Sequence, residues 1–164
     1  MRPKFHITAT SNWINDPNGV VKFKGRYHVF FQYHPHGITW GPMHWGHVIS
    51  EDLVHWKHLP IALRPDESYD RDGCFSGSAI EKDGKLYLIY TGNVGLPNGG
   101  YQVQALAVSE DGIRFTKFEG NPILPSPNSD VINGTDFRDP KVWKKDGKFY
   151  CVIGSKNVEG THGQ

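Results

Sequence analysis

Apolar positions in this chain come in short runs cut off by Gly, Asn and Asp, and three of the runs share one plan. Asn18-Gly-Val-Val-Lys-Phe-Lys-Gly25-Arg-Tyr27-His-Val-Phe-Phe31 is matched by Gly77-Ser-Ala-Ile-Glu-Lys-Asp83-Gly84-Lys-Leu-Tyr87-Leu-Ile-Tyr90 and by Pro140-Lys-Val-Trp-Lys-Lys-Asp146-Gly147-Lys-Phe-Tyr150-Cys-Val-Ile153. Each predicts a strand, a tight turn and a second strand. Asp-Gly at the centre is a strong hairpin signal, because a two-residue primed turn needs positive φ, which Gly adopts without strain. The turn glycines lie 59 and 63 residues apart.

A second element keeps the same phase. Ser50-Glu51-Asp52-Leu-Val-His-Trp56-Lys57 is matched 59 residues later by Ser109-Glu110-Asp111-Gly-Ile-Arg-Phe115-Thr116-Lys117. Pro60-Ile61-Ala-Leu63 and Pro122-Ile123-Leu124 follow the two copies, and the strand-like runs His47–Ile49 and Ala105–Val108 precede them. One unit is therefore two hairpins, or four strands, in roughly 60 residues, a period that suggests the blades of a β-propeller. An antiparallel sandwich is the competing arrangement, but it gives no reason for two independent elements to repeat in register.

Composition agrees. Val, Ile, Phe, Tyr and Trp outnumber Ala, Leu and Met by 44 to 15, so stiff side chains suited to a pleated surface dominate and good helix formers are scarce. The expected class is all-β. Counting Gly in place of Tyr, apolar residues make up about 44% of the chain, enough for one globular core. Lys and Arg total 18 against 17 Asp and Glu, which leaves no field of one sign for nucleic acid or an anionic membrane. No apolar run approaches a membrane helix, and Met1–His6 has no apolar segment of a signal peptide. Two cysteines cannot build a disulfide framework. The expectation is a cytoplasmic protein.

The 164 residues hold fewer than three units, whereas a closed propeller has about four to eight blades. Residues 1–164 are thus expected to be the N-terminal part of a propeller domain, about two and a half blades, whose open blade edges favour self-association.

In a propeller the first strand of every blade is innermost. Eight or nine residues before the turn glycines stand Asp16, Ser76 and Asp139, so these three side chains are expected to converge near the axis. Two carboxylates on rigid strands there suit acid/base or nucleophilic work. Asp-Pro and Asn-Gly each have a purely structural use in turns, and Arg138 has one in neutralising Asp139. What favours function is that Asp16 and Asp139 occupy the same blade position.

Trp13-Ile-Asn-Asp16-Pro-Asn-Gly19, Phe31-Gln32-Tyr33-His34-Pro35, Trp40-Gly-Pro-Met-His-Trp-Gly-His47, Phe75-Ser-Gly-Ser78 and Arg138-Asp139-Pro140 together resemble the motifs of glycoside hydrolase family 32, in the family's order. The resemblance implies a five-bladed propeller followed by a β-sandwich, and retaining cleavage of a terminal β-fructofuranosidic bond without a cofactor. By position, Asp16 resembles the nucleophile and Asp139 the carboxylate that holds fructose hydroxyls. Asn15, Gln32, Trp40, Phe75, Ser76 and Arg138 match positions lining the fructosyl pocket. The family's acid/base is a Glu followed by Cys. No Glu-Cys dipeptide occurs in this chain, and Glu159, the one Glu after Asp139, has the wrong neighbours. The acid/base is therefore expected beyond this segment, and residues 1–164 alone are expected to be inactive.

Other features add less. The nine histidines include His34-Pro-His36 and His44-Trp-Gly-His47, but i,i+3 positions on a strand face opposite sides, so no metal is expected. Trp45 and Trp56 are expected in the core, and Cys74 is expected to be a packed, reduced thiol. Asn133-Gly134-Thr135 fits a glycosylation acceptor only in a secretory host. The expected partner is a small fructoside: sucrose, sucrose 6-phosphate or a short fructan. The stretch Asp70–Phe75 leans toward the 6-phosphate and Gly37–His44 toward levanases and invertases. A fructosyltransferase and a non-catalytic fructoside-binding propeller are the alternatives.

Overall fold

The computed structural model describes residues 5–95 and 99–158. It contains ten strands, and no helix occurs among the described residues. β1 (Trp13–Phe23), β2 (Arg26–His34), β3 (His44–Ser50) and β4 (Lys57–Leu63) form one antiparallel sheet in chain order. β5 (Cys74–Lys82), β6 (Lys85–Val94), β7 (Tyr101–Ser109) and the short β8 (Thr116–Lys117) form a second. β9 (Ile132–Lys145) pairs with β10 (Lys148–Asn157). β1 packs on β5 and β5 on β9, so the first strand of each sheet is innermost, as propeller blades require.

All three expected hairpins form, with Phe23 paired to Arg26, Lys82 to Lys85 and Lys145 to Lys148. Both central residues of each turn have positive φ: 45° and 81° at Lys24-Gly25, 52° and 75° at Asp83-Gly84, 51° and 75° at Asp146-Gly147. These are the values of a type I′ turn, whose twist matches that of the flanking strands.

The second repeat is as literal. In blade one the Asp52 carboxylate accepts from the Val54 and His55 amides, while Ser50 Oγ accepts from Leu53 N. In blade two the Asp111 carboxylate accepts from the Ile113 and Arg114 amides, while Ser109 Oγ accepts from Gly112 N. These amides hold the Asp111 carboxyl down at about 2. The likeness ends there. β4 runs seven residues, whereas β8 runs two and Leu124 makes a single bridge to Gln104. Between them the Asn121 side chain replaces a strand, its oxygen accepting from Leu106 N and its amide donating to Leu106 O.

The main core lies between blades one and two and includes Phe30, Trp45, Leu63, Leu88 and Tyr90. Trp45 is fully buried and its indole N–H donates to Phe75 O at 3.0 Å. Trp56 is half-buried beside the smaller cluster of Val29, Phe31 and Val48 on the other face. Phe115 of the β7–β8 connection packs edge-on against both Phe30 and His47. Among the described residues no group of three or more His, Cys, Asp or Glu could hold a metal.

His47 shares a 3.0 Å N···N hydrogen bond with His28. Burial, with help from His28, pulls its pKa from 6.5 down to about 3. A group with a lowered folded pKa binds more protons when unfolded, so its contribution is complete above pH 6.5 and declines as the pH falls toward 3. We expect about 3 kcal/mol of stability to be lost between pH 7 and pH 4 through this pair. Denaturant midpoints across that range check it; His47→Gln should flatten the slope, and an equally steep slope in that variant would refute the assignment.

Candidate active site

The site is built by one device used three times. In β1, Ile14 pairs with Tyr33 and Pro17 with Phe31, leaving Asn15 and Asp16 opposite Gln32 alone. In β5, Phe75 pairs with Thr91 and Gly77 with Tyr90, so Ser76 is an extra residue. In β9, Arg138 pairs with Gly154 and Lys141 with Val152, so Asp139 and Pro140 oppose one residue. Each innermost strand therefore bulges at the expected site position. A bulge re-aims a side chain that strict alternation would send elsewhere. Asp139 shows the effect most plainly. Its φ of 61° is left-handed, and Arg138 and Asp139 end up facing the same cleft instead of opposite faces of the sheet. Asp16, Ser76 and Asp139 all lie within the first strands themselves.

Gly77 is what lets β5 bulge. A Cβ there would sit 2.1 Å from Ile89 O, a clash that no rotamer relieves.

All eight candidates, Asn15, Asp16, Gln32, Trp40, Phe75, Ser76, Arg138 and Asp139, line one cleft of about 180 Å³. Asp16 Oδ2 accepts from Ser76 Oγ at 2.8 Å, which joins blades one and two across the cleft. Asn15 Nδ2 lies 3.4 Å from Asp16 Oδ1, and Trp13 Nε1 fixes the Asn15 amide by donating to its oxygen at 2.7 Å. Gln32 is buried and donates to Cys74 O at 3.0 Å. Trp40, from the β2–β3 loop, meets Phe75 edge-to-face at 6.0 Å, so two aromatic faces line one wall. Cys74 is buried and free, its thiol pushed well up by burial and by Asp70.

Arg138 sits between carboxylates. Its Nη1 donates to Asp136 Oδ1 at 2.6 Å, and its Nε lies 3.9 Å from Asp139 Oδ2. The surrounding protein raises the Asp139 carboxyl above its ordinary pKa; Arg138 pulls it back and Asp16 pushes it up again. Asp16, 123 positions earlier in the sequence, is thus near enough for its charge to act on Asp139. The site is a polar pocket with one carboxylate supplied with donors, a second in electrostatic contact with it, and an apolar wall.

The profile described as "Glycosyl hydrolases family 32 N-terminal domain" matches residues 6–163. The chain belongs to glycosyl hydrolase family 32. Among its relatives, a sucrose-6-phosphate hydrolase of Zymomonas mobilis is 49% identical over 98% of this chain and 31% of its own length. A raffinose invertase of Escherichia coli is 49% identical over 95% of this chain and 33% of its own. The solved family 32 β-fructofuranosidase of Bombyx mori, as a variant in complex with sucrose, superposes with a TM-score of 0.85 at 43% identity, covering 96% of this chain and 33% of that one. The chain spans about a third of the length of the relatives it matches. The architecture described above is accordingly that of the family 32 propeller, with two four-stranded blades and a two-stranded sheet among the described residues.

Four polar residues around this family 32 site were not singled out in the sequence: Ser78, Thr91, Gln102 and Gln104, all buried. A signal existed for two of them. In Tyr101-Gln-Val-Gln-Ala-Leu-Ala-Val, Gln102 and Gln104 put two amides on one face of an otherwise apolar strand, where buried polar groups need partners. Glu159, which the family pattern did not match, lies outside the described residues.

Proposed function

We propose that this chain is the nucleophile-bearing part of a retaining β-fructofuranosidase. One observation carries the reading: the eight motif residues, drawn from β1, β2, the β2–β3 loop, β5 and β9, line a single cleft. Asp16 attacks the anomeric carbon of the fructosyl ring, the bond to the leaving oxygen breaks, and water later releases fructose from the covalent intermediate. Ser76 and Asn15 supply the donors that hold Asp16 in place. Asp139 and Arg138 take the ring hydroxyls, and the Asp139 charge strengthens its hold as positive charge develops on the ring. Trp40 and Phe75 together give the sugar one apolar aromatic wall. The leaving oxygen takes its proton from an acid in the remainder of the enzyme.

Sucrose 6-phosphate or sucrose is the substrate this reading favours, supported by the likeness to a sucrose-6-phosphate hydrolase and a raffinose invertase. The test is product analysis of the complete enzyme on sucrose, its 6-phosphate and short fructans. Free fructose as the main product supports hydrolysis; longer oligosaccharides would make it a transferase, and binding without turnover a fructoside-binding propeller. A cytoplasmic location is proposed with the same substrate, since Cys74 and Cys151 are both free thiols; cell fractionation checks it.

Residues 1–164 taken alone are proposed to self-associate. β10 is an open edge of its sheet, and Phe149, Tyr150 and Val152 are 41%, 42% and 55% exposed. An unpaired apolar edge is a template for pairing with another chain. Light scattering should give a mass above the 18.5 kDa monomer, and Val152→Lys with Tyr150→Lys should return it to the monomer; a monomeric parent chain would end the idea.

A further inference from the structure

β9 carries Arg138 and Asp139, yet its ladder runs only to β10. On the side facing blade two its main chain is satisfied by side chains. Phe137 N donates to Gln102 Oε1 at 3.0 Å, and Phe137 O accepts from Gln104 Nε2 at 2.7 Å. Asp139 N donates to Thr91 Oγ1 at 3.1 Å. Ser78 Oγ donates to Pro140 O at 2.8 Å and accepts from Val142 N at 2.9 Å. Thr91 passes its own proton to Gln104 Oε1 at 3.1 Å. Thr91 and Gln104 are direct cross-strand partners on β6 and β7. Thr91, Gln102 and Gln104 have no measurable exposure, and Ser78 has 5%.

We infer that Ser78, Thr91, Gln102 and Gln104 are positioning residues. They form a side-chain clamp that sets the main chain of residues 137–142 and so aims Arg138 and Asp139 into the cleft. This rests on the reading that those two residues hold the fructosyl group. No main-chain ladder links β9 to blade two, and side chains from β5 (Ser78), β6 (Thr91) and β7 (Gln102 and Gln104) bridge to it instead. The clamp also explains the left-handed Asp139. A non-Gly residue at positive φ needs support from its surroundings, and the Thr91 hydroxyl holds the one N–H that fixes this bend. Gln102 extends the same logic to the side chain beside it: its oxygen, already taken by Phe137 N, lies 3.4 Å from Arg138 Nη1.

The test uses the complete enzyme. Thr91→Val keeps the shape and removes the acceptor, leaving Asp139 N–H without the partner that fixes it, which should lower kcat/KM about tenfold or more. Thr91→Ser restores the hydroxyl and should recover most of that loss. The deciding comparison repeats Thr91→Val in an Asp139→Asn background. A residue acting through Asp139 loses its effect there, leaving less than about a threefold change, whereas an equal loss in both backgrounds overturns the proposal. Amide exchange of the 136–142 peptide gives a readout independent of turnover: faster exchange in Thr91→Val is expected, and unchanged exchange overturns the clamp. Gln104→Met runs through the same cycle if Thr91→Val fails to accumulate. An enzyme with no fructoside activity would sink the functional reading instead, while the exchange measurement would still judge the clamp.

Discussion

Asp16→Asn in the complete enzyme is expected to cut fructose release on the order of 10⁴-fold or more while leaving the fold intact. The magnitude is what removal of an essential nucleophile costs when the rest of the site remains. The fold should survive because Asp16 is exposed in the cleft and its main structural contact is the hydroxyl of Ser76. An asparagine oxygen accepts that hydrogen bond as well, and the Trp13–Asn15 contact behind it is untouched. A carboxamide, however, cannot form the glycosyl ester. Initial rates and thermal melts on the same preparations separate the two effects. Rates within tenfold of the parent, with unchanged melting, would remove Asp16 from the chemistry.

The blade repeat was legible in the sequence because its parts are local. A type I′ turn needs a residue and a glycine at positive φ, so Lys24-Gly25, Asp83-Gly84 and Asp146-Gly147 announced the hairpins. The Ser50-x-Asp52 and Ser109-x-Asp111 turns did the same for the outer hairpins, since each closes on amides within three residues. Convergence of Asp16, Ser76 and Asp139 followed from phase alone. What stayed hidden depends on distant partners. No local pattern says that a strand bulges, because a bulge is defined by the strand opposite, as at Ser76 against Thr91 and Tyr90. Nor did the short β8 show itself, since Asn121 takes over the work of a strand by bonding both main-chain groups of Leu106. Two clamp residues were hidden for the same reason: Ser78 and Thr91 look like ordinary strand residues until β9 lies beside them.

The bulges also bear on how such a site is maintained. Each carries candidate site side chains off the alternation of its strand, and contacts from another blade hold them. Ser76 holds Asp16 across a blade boundary, and the indole of Trp45 in blade one holds the main chain of Phe75 in blade two. Geometry within the cleft is therefore a property of the contact between blades more than of any single hairpin.

Asp70→Ala is expected to destabilise the fold by about 3–5 kcal/mol, the cost of leaving a buried charge and its neighbours without their partner. Asp70 is fully buried in the connection between blades one and two. Its Oδ1 accepts from Glu67 N at 3.0 Å, and its Oδ2 accepts from Tyr90 OH at 2.8 Å and Lys117 Nζ at 2.6 Å. Lys117 also donates to Asp66 and to Arg64 O. One carboxylate thus ties the connection to the middle and the outer edge of blade two. The Tyr90 hydroxyl is pushed far up by burial, with Cys74 and Asp70 adding to it, so it stays a donor at any accessible pH and depends on this acceptor. Asp70→Asn should cost nearly as much despite its shape, because a neutral amide cannot balance Lys117. Lys117→Met should be harmful for the converse reason, whereas pairing Asp70→Asn with Lys117→Met should recover much of the loss, since neither charge is then stranded. Melting temperatures are the measurement, with a fall of roughly 10 °C for the single variants. Single variants within about 2 °C of the parent would show that the connection is held by packing alone. The same loosening should reach the cleft, because Gln32 is anchored on the carbonyl of Cys74, four residues further along the chain at the start of β5.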